Sequence, residues 1–230
     1  MIENSNTISH LPDAQIDREQ FLLPIHTYSA VRLVKGRPPG TKTHGTPQSP
    51  IVGLFTFESL VRPIWSAALH DNPYAAWYLQ RIRKLLEEAQ NDINKRFKVV
   101  EEQLATRDLE IETFPLNDVI DEFEVNVHTP PSIAVSDLII DIDVLGAAML
   151  FLYRAELMDK ESFDKATAAI AHLGRRVMTE PSEYKHFLLT RDDVRTGTNE
   201  TPNAAQAMGP VPQAILDLPN GTAWSGPIVL

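Results

Sequence analysis

The chain has 230 residues and a formal net charge of −10 at pH 7, and 43% of its residues are hydrophobic. This composition is typical of a globular protein with enough chain to bury a core. Because the sequence contains no cysteine, it excludes disulfides, thiolate metal sites and cysteine nucleophiles. No apolar stretch reaches the ~20 residues of a membrane span, and the N-terminus lacks the pattern of a secretory signal. We therefore expect a cytoplasmic protein without membrane contact.

The charge is distributed unevenly along the chain. Residues 26–107 contain twelve Lys and Arg against seven Asp and Glu, whereas residues 108–164 contain two against fourteen. This division favours the first half for any contact with a polyanion. The negative charge of the whole chain argues against unspecific binding of nucleic acid over the entire surface.

The first fifty residues predict an arm, a strand and a loop. Residues 1–20 are polar and poorly patterned, which is typical of a mobile N-terminal arm. The β-branched and aromatic residues that follow predict a strand around Ile25 to Val34, although its end, SAVRLVKGR, fits a helical turn equally well. Residues 36–50 are rich in proline and glycine and predict an exposed loop.

The next segment predicts two helices joined by a short turn. Thr56 is placed to cap a helix that runs to about His70. Asn72 is a good N-cap for a second helix of about 35 residues, which continues to Arg107 without an internal glycine or proline after its first position. Apolar residues between positions 78 and 104 recur at spacings of three or four, so we expect one continuous apolar face.

The acidic half predicts two strands and a buried helix. The segments 109–116 and 123–128 are read as strands, and the second alternates apolar with polar residues. A helix from Ser136 or Asp137 to about Met158 is apolar on nearly all sides, so we expect it at the centre of the core.

The remaining elements are predicted from their caps. Asp159 is placed to cap a helix that Pro181 ends, and Thr190 with Asp193 forms a capping box at the start of a shorter helix. The last segment, 217–230, reads as a tail.

Together these elements predict an α+β, mostly helical fold. We expect a single globular domain over residues 21–216, between the arm and the tail. The order strand–helix–helix occurs twice, at about 25–107 and 123–178.

No pattern in the sequence predicts a catalytic, cofactor or metal site. The seven histidines are scattered, and none has metal-ligand spacing with another histidine or with a carboxylate on a defined helix face. Asp141 and Asp143 are two residues apart on a helix and therefore point in different directions. Glycine-rich phosphate loops, nucleophile elbows and zinc-binding helix motifs are absent from the sequence. We therefore expect a protein that is not an enzyme and needs no cofactor.

One basic cluster is a candidate binding site. Arg32, Lys35 and Arg37 end the predicted first strand and open the loop, where basic side chains can contact phosphates or base edges. Basic residues on the long helix are more often a solvated face.

Five segments are informative when they are taken together and in order: HTYSAVRLVKGR, IVGL with the helix ending in RPIW, HDNPYAAWYL, RAELMDKESFDKA, and TRDDV with the later AQAMGPVPQAIL. They extend over roughly residues 24–216. This ordered set resembles a family encoded on integrating conjugative elements and related plasmids, which includes the AcaB-like transcriptional regulators.

The resemblance implies a regulator of transfer or maintenance genes that binds double-stranded DNA, with a dimeric ribbon–helix–helix architecture. In that architecture, paired strands from two subunits enter the major groove. The two strand–helix–helix units of this chain are compatible with it. A homodimer is therefore expected.

Two segments compete for the DNA-contacting strand. The strand at 123–128 has the better proportions, with Asn126 and His128 predicted to point outward, but the acidic Glu122 and Glu124 would face phosphates. The segment that carries Arg32, Lys35 and Arg37 has the right charge but a long connection to its helices. We rank those three basic residues first and the Asn126–His128 pair second.

A rival hypothesis accepts the same resemblance but gives the protein a different role. The protein would be a non-enzymatic interaction or scaffold protein of the mobile element, and its long helix and acidic half would contact proteins instead of DNA. The acidic composition favours this hypothesis, whereas the charge division and the family favour the regulator.

Overall fold

The structure is a computed structural model that describes residues 19–43, 46–105, 118–198 and 200–226. The protein is α+β and mostly helical, which confirms the predicted class. The elements in chain order are β1 (Glu19–Ile25), α1 (Tyr28–Lys35), β2 (Lys42–Thr43), β3 (Thr46–Pro47), α2 (Leu54–Leu69), α3 (Pro73–Ala105), β4 (Asp121–Val127), α4 (Pro130–Arg154), α5 (Lys160–Thr179), α6 (Arg191–Thr196), α7 (Glu200–Met208) and α8 (Gln213–Leu216).

The first strand ends where the sequence predicted that it would begin. β1 ends at Ile25, and the segment up to Lys35 is helical, so the strand predicted around Ile25 to Val34 is wrong and the helical alternative is confirmed. The hydroxyl of Thr27 caps α1 by accepting a hydrogen bond from the backbone N–H of Ala30. This cap satisfies a free helical N–H and separates strand from helix.

β1 and β4 form an antiparallel two-stranded ribbon within one chain. The register places Gln20 opposite Asn126 and Leu22 opposite Glu124. Side chains on one face of β4 are buried and those on the other are exposed, as the alternating sequence predicts. No second subunit is needed to complete this ribbon. The ribbon–helix–helix architecture and the division into two strand–helix–helix units stay predictions.

The long helix begins as predicted. The side-chain oxygen of Asn72 accepts a hydrogen bond of 3.0 Å from the N–H of Ala75, which is the expected cap. Its 33 residues carry one buried face, which includes Ile82, Ile93 and Leu104. The preceding helix begins at Leu54 instead of Thr56.

The central helix starts earlier than the sequence predicted. α4 begins at Pro130, since the hydroxyl of Thr129 caps it by accepting from the N–H of Ser132 and a proline is tolerated in the first turn. The helix ends at Arg154, four residues before Met158. Most of its side chains are buried, as expected for a central helix, and Asp159 caps the following helix as predicted.

The residues that follow α8 pack on the long helix instead of projecting as the predicted tail. Leu218 and Ala223 are buried. The amide of Gln80 donates a 2.8 Å hydrogen bond to the carbonyl of Ala223, and Arg83 donates to the carbonyl of Trp224 at 2.7 Å.

The predicted capping box of Thr190 and Asp193 is present. Residues 1–18 of the predicted arm, 227–230 of the predicted tail and the strand predicted at 109–116 lie outside the described residues.

The two ends of the proline-rich loop are held together by a close approach of backbone. Arg37 and Ile51 exchange two backbone hydrogen bonds of 2.8 and 2.9 Å. A Cβ on Gly53 would overlap the backbone nitrogen of Gly36 and lie 2.6 Å from the carbonyl oxygen of Val34. Only glycine at position 53 permits this closure.

We expect Gly53→Ala to lower the free energy of unfolding by about 1–3 kcal/mol, since the methyl group forces two backbone segments apart. Chemical denaturation measures this loss. Gly146→Ala is the control, because its Cβ would meet only side-chain atoms of Thr27 and Ser29, at ordinary distances of 3.4 to 3.8 Å. Equal stability of the two variants would contradict the close approach.

Candidate nucleic-acid interface

α1 presents two of the predicted basic residues to solvent. Ala30, Leu33 and Val34 bury one face of this helix, while Arg32 and Lys35 lie exposed on the other. Both residues belong to the last turn, where a positive charge interacts favourably with the helix dipole.

Lys35 is already paired with a carboxylate. Its Nζ lies 2.6 Å from an oxygen of Asp121 and 5.4 Å from the ring centroid of Phe123. The hydrogen bond from Lys35 lowers the pKa of Asp121 below its usual value. This contact joins α1 to the first residue of β4, and it neutralises one of the three predicted cations.

Arg37 is held in place, and no carboxylate in the part of the chain that the structure describes is paired with it. It follows Gly36, which ends α1 with a positive φ of 64°. Its backbone is fixed by Ile51, and its guanidinium donates a 3.0 Å hydrogen bond to the neutral amide oxygen of Gln48. The side chain is therefore oriented by a partner that carries no charge.

The structure places Asn126 and His128, the second-ranked pair, in different surroundings. Asn126 lies exposed on the outer face of the ribbon, opposite Gln20. His128 follows the end of β4, and its Nδ1 lies 2.9 Å from a carboxylate oxygen of Glu58 on α2. Its side chain is 23% exposed, and it lies one residue beyond the end of the strand.

The five predicted residues therefore occupy three separate places: the end of α1, the outer face of β4 and the contact with Glu58. Lys35 contacts Asp121, at the start of β4, and Asn126 lies five residues further along that strand. At about 3.3 Å per residue, this is roughly 17 Å. The basic cluster and Asn126 are too far apart to contact a single phosphate or base.

The outer face of the ribbon is acidic and apolar. Glu122 and Glu124 are exposed on β4, and the amide of Gln20 donates a hydrogen bond to Glu124. Leu22 lies opposite Glu124 with 60% of its surface exposed. Exposed carboxylates repel phosphates, so the basic end of α1 is the better surface for DNA.

A buried polar network fixes the turn between β1 and α1. One oxygen of Asp143 accepts from the backbone N–H of His26 at 2.8 Å and lies 2.9 Å from the His26 Nδ1. Its other oxygen accepts from the hydroxyl of Thr27 at 2.6 Å. The carboxyl of Asp143 is 2% exposed. It thereby positions the helix that carries Arg32 and Lys35, a role that spacing alone could not show.

Sequence reasoning also missed Arg175 on α5. Burial and the nearby charge of Arg37 lower the pKa of its guanidinium. The only local signal was the Gly174–Arg175–Arg176 sequence, in a helix that was read as ordinary amphipathic packing.

A family model described as the transcriptional regulator AcaB matches residues 17–228 of the chain. The chain belongs to the AcaB family of transcriptional regulators. The resemblance stated from the sequence is thereby confirmed. A regulator family also favours the prediction that the protein is not an enzyme.

A solved structure of an AcaB protein has a similar fold. The crystal structure of selenomethionine-containing AcaB from uropathogenic E. coli matches with a TM-score of 0.58 and 10% sequence identity. The match covers 87% of this chain and 95% of that one. At this identity the similarity shows the fold alone. No curated protein sequence matches the chain.

Two further observations apply to the described part of the chain. It contains no helix that is long and apolar enough to cross a membrane. Nor do its His, Asp and Glu side chains form a group of three or more that could hold a metal ion.

Proposed function

We propose that the protein is a cytoplasmic, DNA-binding transcriptional regulator of an integrating conjugative element or plasmid, and that it controls transfer or maintenance genes. Membership of the AcaB family supports the regulatory role. The observation that carries the DNA contact is the oriented guanidinium of Arg37, which pairs with no carboxylate of the described residues and shares a short segment with the exposed Arg32 at the end of α1. Guanidinium groups match the geometry of phosphate oxygens and of guanine.

In this proposal the ribbon and its flanking helices act as a ribbon–helix–helix-like unit. The basic end of α1 holds the DNA backbone, and contacts to phosphate set the register without reading sequence. Gln20 and Asn126 are opposite each other in the register of the ribbon, and amide side chains suit adenine in the major groove. The acidic residues beside them repel DNA phosphates and so weaken binding to unspecific DNA. Only a sequence that forms favourable base contacts with Gln20 and Asn126 offsets this repulsion.

A homodimer belongs to the same proposal. Because the ribbon is complete within one chain, each subunit would present its own DNA-contacting surface, and two subunits would bind two half-sites. The half-site spacing would then follow the distance between the two basic surfaces.

A gel-shift titration against promoter fragments of the protein's own element tests this function. Random duplex serves as competitor, so that sequence-specific binding is separated from charge attraction. We expect a shifted band that resists excess competitor. Absence of a shift at micromolar protein would contradict DNA binding.

The outer face of the ribbon favours a second candidate function. Exposed Leu22 beside Glu122 and Glu124 is a surface that suits a protein partner better than it suits DNA. In this case the protein is an interaction or scaffold protein of the element, and it regulates without touching DNA. Failure of the gel shift would favour this candidate.

A further inference from the structure

α5 crosses α1 at a glycine, and the crossing brings a new arginine to the basic end of α1. A Cβ on Gly174 would lie 3.2 Å from a methyl carbon of Leu33 and 3.1 Å from one of Ile142. A larger residue would push α5 away from both helices. The absence of a side chain therefore sets the position of Arg175, the next residue of α5.

Gly174 packs on Leu33, four residues before Arg37, so the next residue of α5, Arg175, lies near the end of α1. Its guanidinium is partly buried, and burial is the larger cause of its lowered pKa, followed by the charge of Arg37. Two cations close together, one of them partly removed from water, are unfavourable unless an anion lies between them or beside them.

Neighbouring cations show how such charges are usually balanced in this protein. Arg176, the next residue on α5, lies 3.1 Å from a carboxylate oxygen of Glu88, and Lys35 lies 2.6 Å from Asp121. Within the described residues, Arg175 and Arg37 form no such ion pair, and the side chain of Arg37 is bound by the neutral Gln48. A bound phosphate group would balance both charges.

We propose that Arg37 and Arg175, with the exposed Arg32 at their edge, form a binding site for a phosphate group of the DNA backbone. The proposal rests on the DNA-binding function proposed above, and it names the contact on which that function depends. Two guanidiniums from separate elements hold one phosphate from two directions, with up to four N–H donors for its oxygens. Because Gln48 already holds the side chain of Arg37, this side chain loses less conformational entropy when a phosphate binds.

Arg175→Ala tests the site, with Arg176→Ala as the matched control. Both variants remove one arginine from the same helix, but Arg176 is half-exposed and paired with Glu88. For Arg175→Ala we expect a loss of DNA affinity of about tenfold, similar for promoter and random duplex, and a decrease of about 1 in the salt slope of binding. Arg176→Ala should leave both values near those of the wild type. Equal effects of the two variants would overturn the site.

A second measurement tests the site without DNA. Pyrophosphate should raise the Tm of the wild type and of Arg176→Ala, because a ligand that binds only the folded state stabilises it. Arg175→Ala should lose this rise. If pyrophosphate stabilises in this pattern but no DNA is bound, the phosphate site stands and the DNA-binding function fails. If DNA binds but neither measurement separates the variants, the function stands and the site is overturned.

Discussion

Replacement of Arg32, Lys35 and Arg37 together by alanine is expected to abolish DNA binding without unfolding the protein. Arg32 and Lys35 are exposed, and Arg37 carries an oriented charge, so the change removes the basic end of α1. It also leaves Asp121 without its Lys35 partner, which adds a repulsive charge beside the proposed phosphate site. Fluorescence anisotropy of a labelled promoter fragment measures the loss.

The control for this triple variant removes equal charge elsewhere. Lys84, Lys95 and Lys98 are exposed on α3, away from the basic end of α1 in the sequence. Their joint replacement by alanine should reduce affinity only slightly, through general electrostatics. Similar losses in both triple variants would show that net charge, instead of this surface, governs binding. Unchanged binding in the first variant would refute the site.

Asp143→Ala is expected to lower the free energy of unfolding by at least about 3 kcal/mol. The substitution leaves the backbone N–H of His26 and the hydroxyl of Thr27 without their acceptor, and the Nδ1 of His26 without its partner, where the surroundings are buried or partly buried. An unsatisfied buried donor costs about 1–3 kcal/mol. Because the network holds the turn before α1, DNA affinity should fall as well. Thermal and chemical denaturation, followed by the binding assay, measure both effects.

Asp141→Asn is the matched control on the same helix. Asp141 accepts one hydrogen bond of 2.8 Å from Gln90, and burial raises the pKa of its carboxyl above the usual value. A raised pKa in the folded state means that the ionised form is disfavoured there, so this group weakens the fold as the pH rises through its pKa. The amide keeps a hydrogen-bonding group without the charge. Stability at pH 7 should therefore be unchanged or slightly higher. A loss as large as that of Asp143→Ala would contradict the assigned network.

Elements with a strong local signal could be predicted from the sequence. The alternation in β4, the cap of α5 at Asp159 and the capping box at Thr190 each depend on neighbouring residues alone, and the structure confirms them. The long helix from Asn72 followed from an apolar face repeated over many turns, where the period is unambiguous.

The errors lie where distant contacts decide the local structure. Thr27 is a residue type that often caps helices, and it does cap α1. However, its hydroxyl also binds the buried Asp143, and this contact, which favours a helix start over a continued strand, comes from a residue distant in sequence. The start of α4 at Pro130 was missed because two prolines were read as a break, although the first turn of a helix tolerates them. The pairing of β1 with β4 has no local signature either.

The candidate site shows the same limit. The sequence located the basic cluster through its composition, but it could not show that Lys35 is neutralised by Asp121 or that His128 binds Glu58. Arg175 becomes visible only when Gly174 brings α5 against α1. Charge can be counted in a sequence, whereas its neutralisation depends on the fold.

The salt dependence of DNA binding by the wild-type protein tests the central claim most directly. The equilibrium constant for its promoter fragment is measured over a series of salt concentrations. If Arg32, Arg37 and Arg175 each neutralise a phosphate charge, log K should fall against log salt with a slope of about −3 or steeper. Binding whose affinity does not change with salt, or no binding at physiological salt, would contradict the account and support a role in protein contacts.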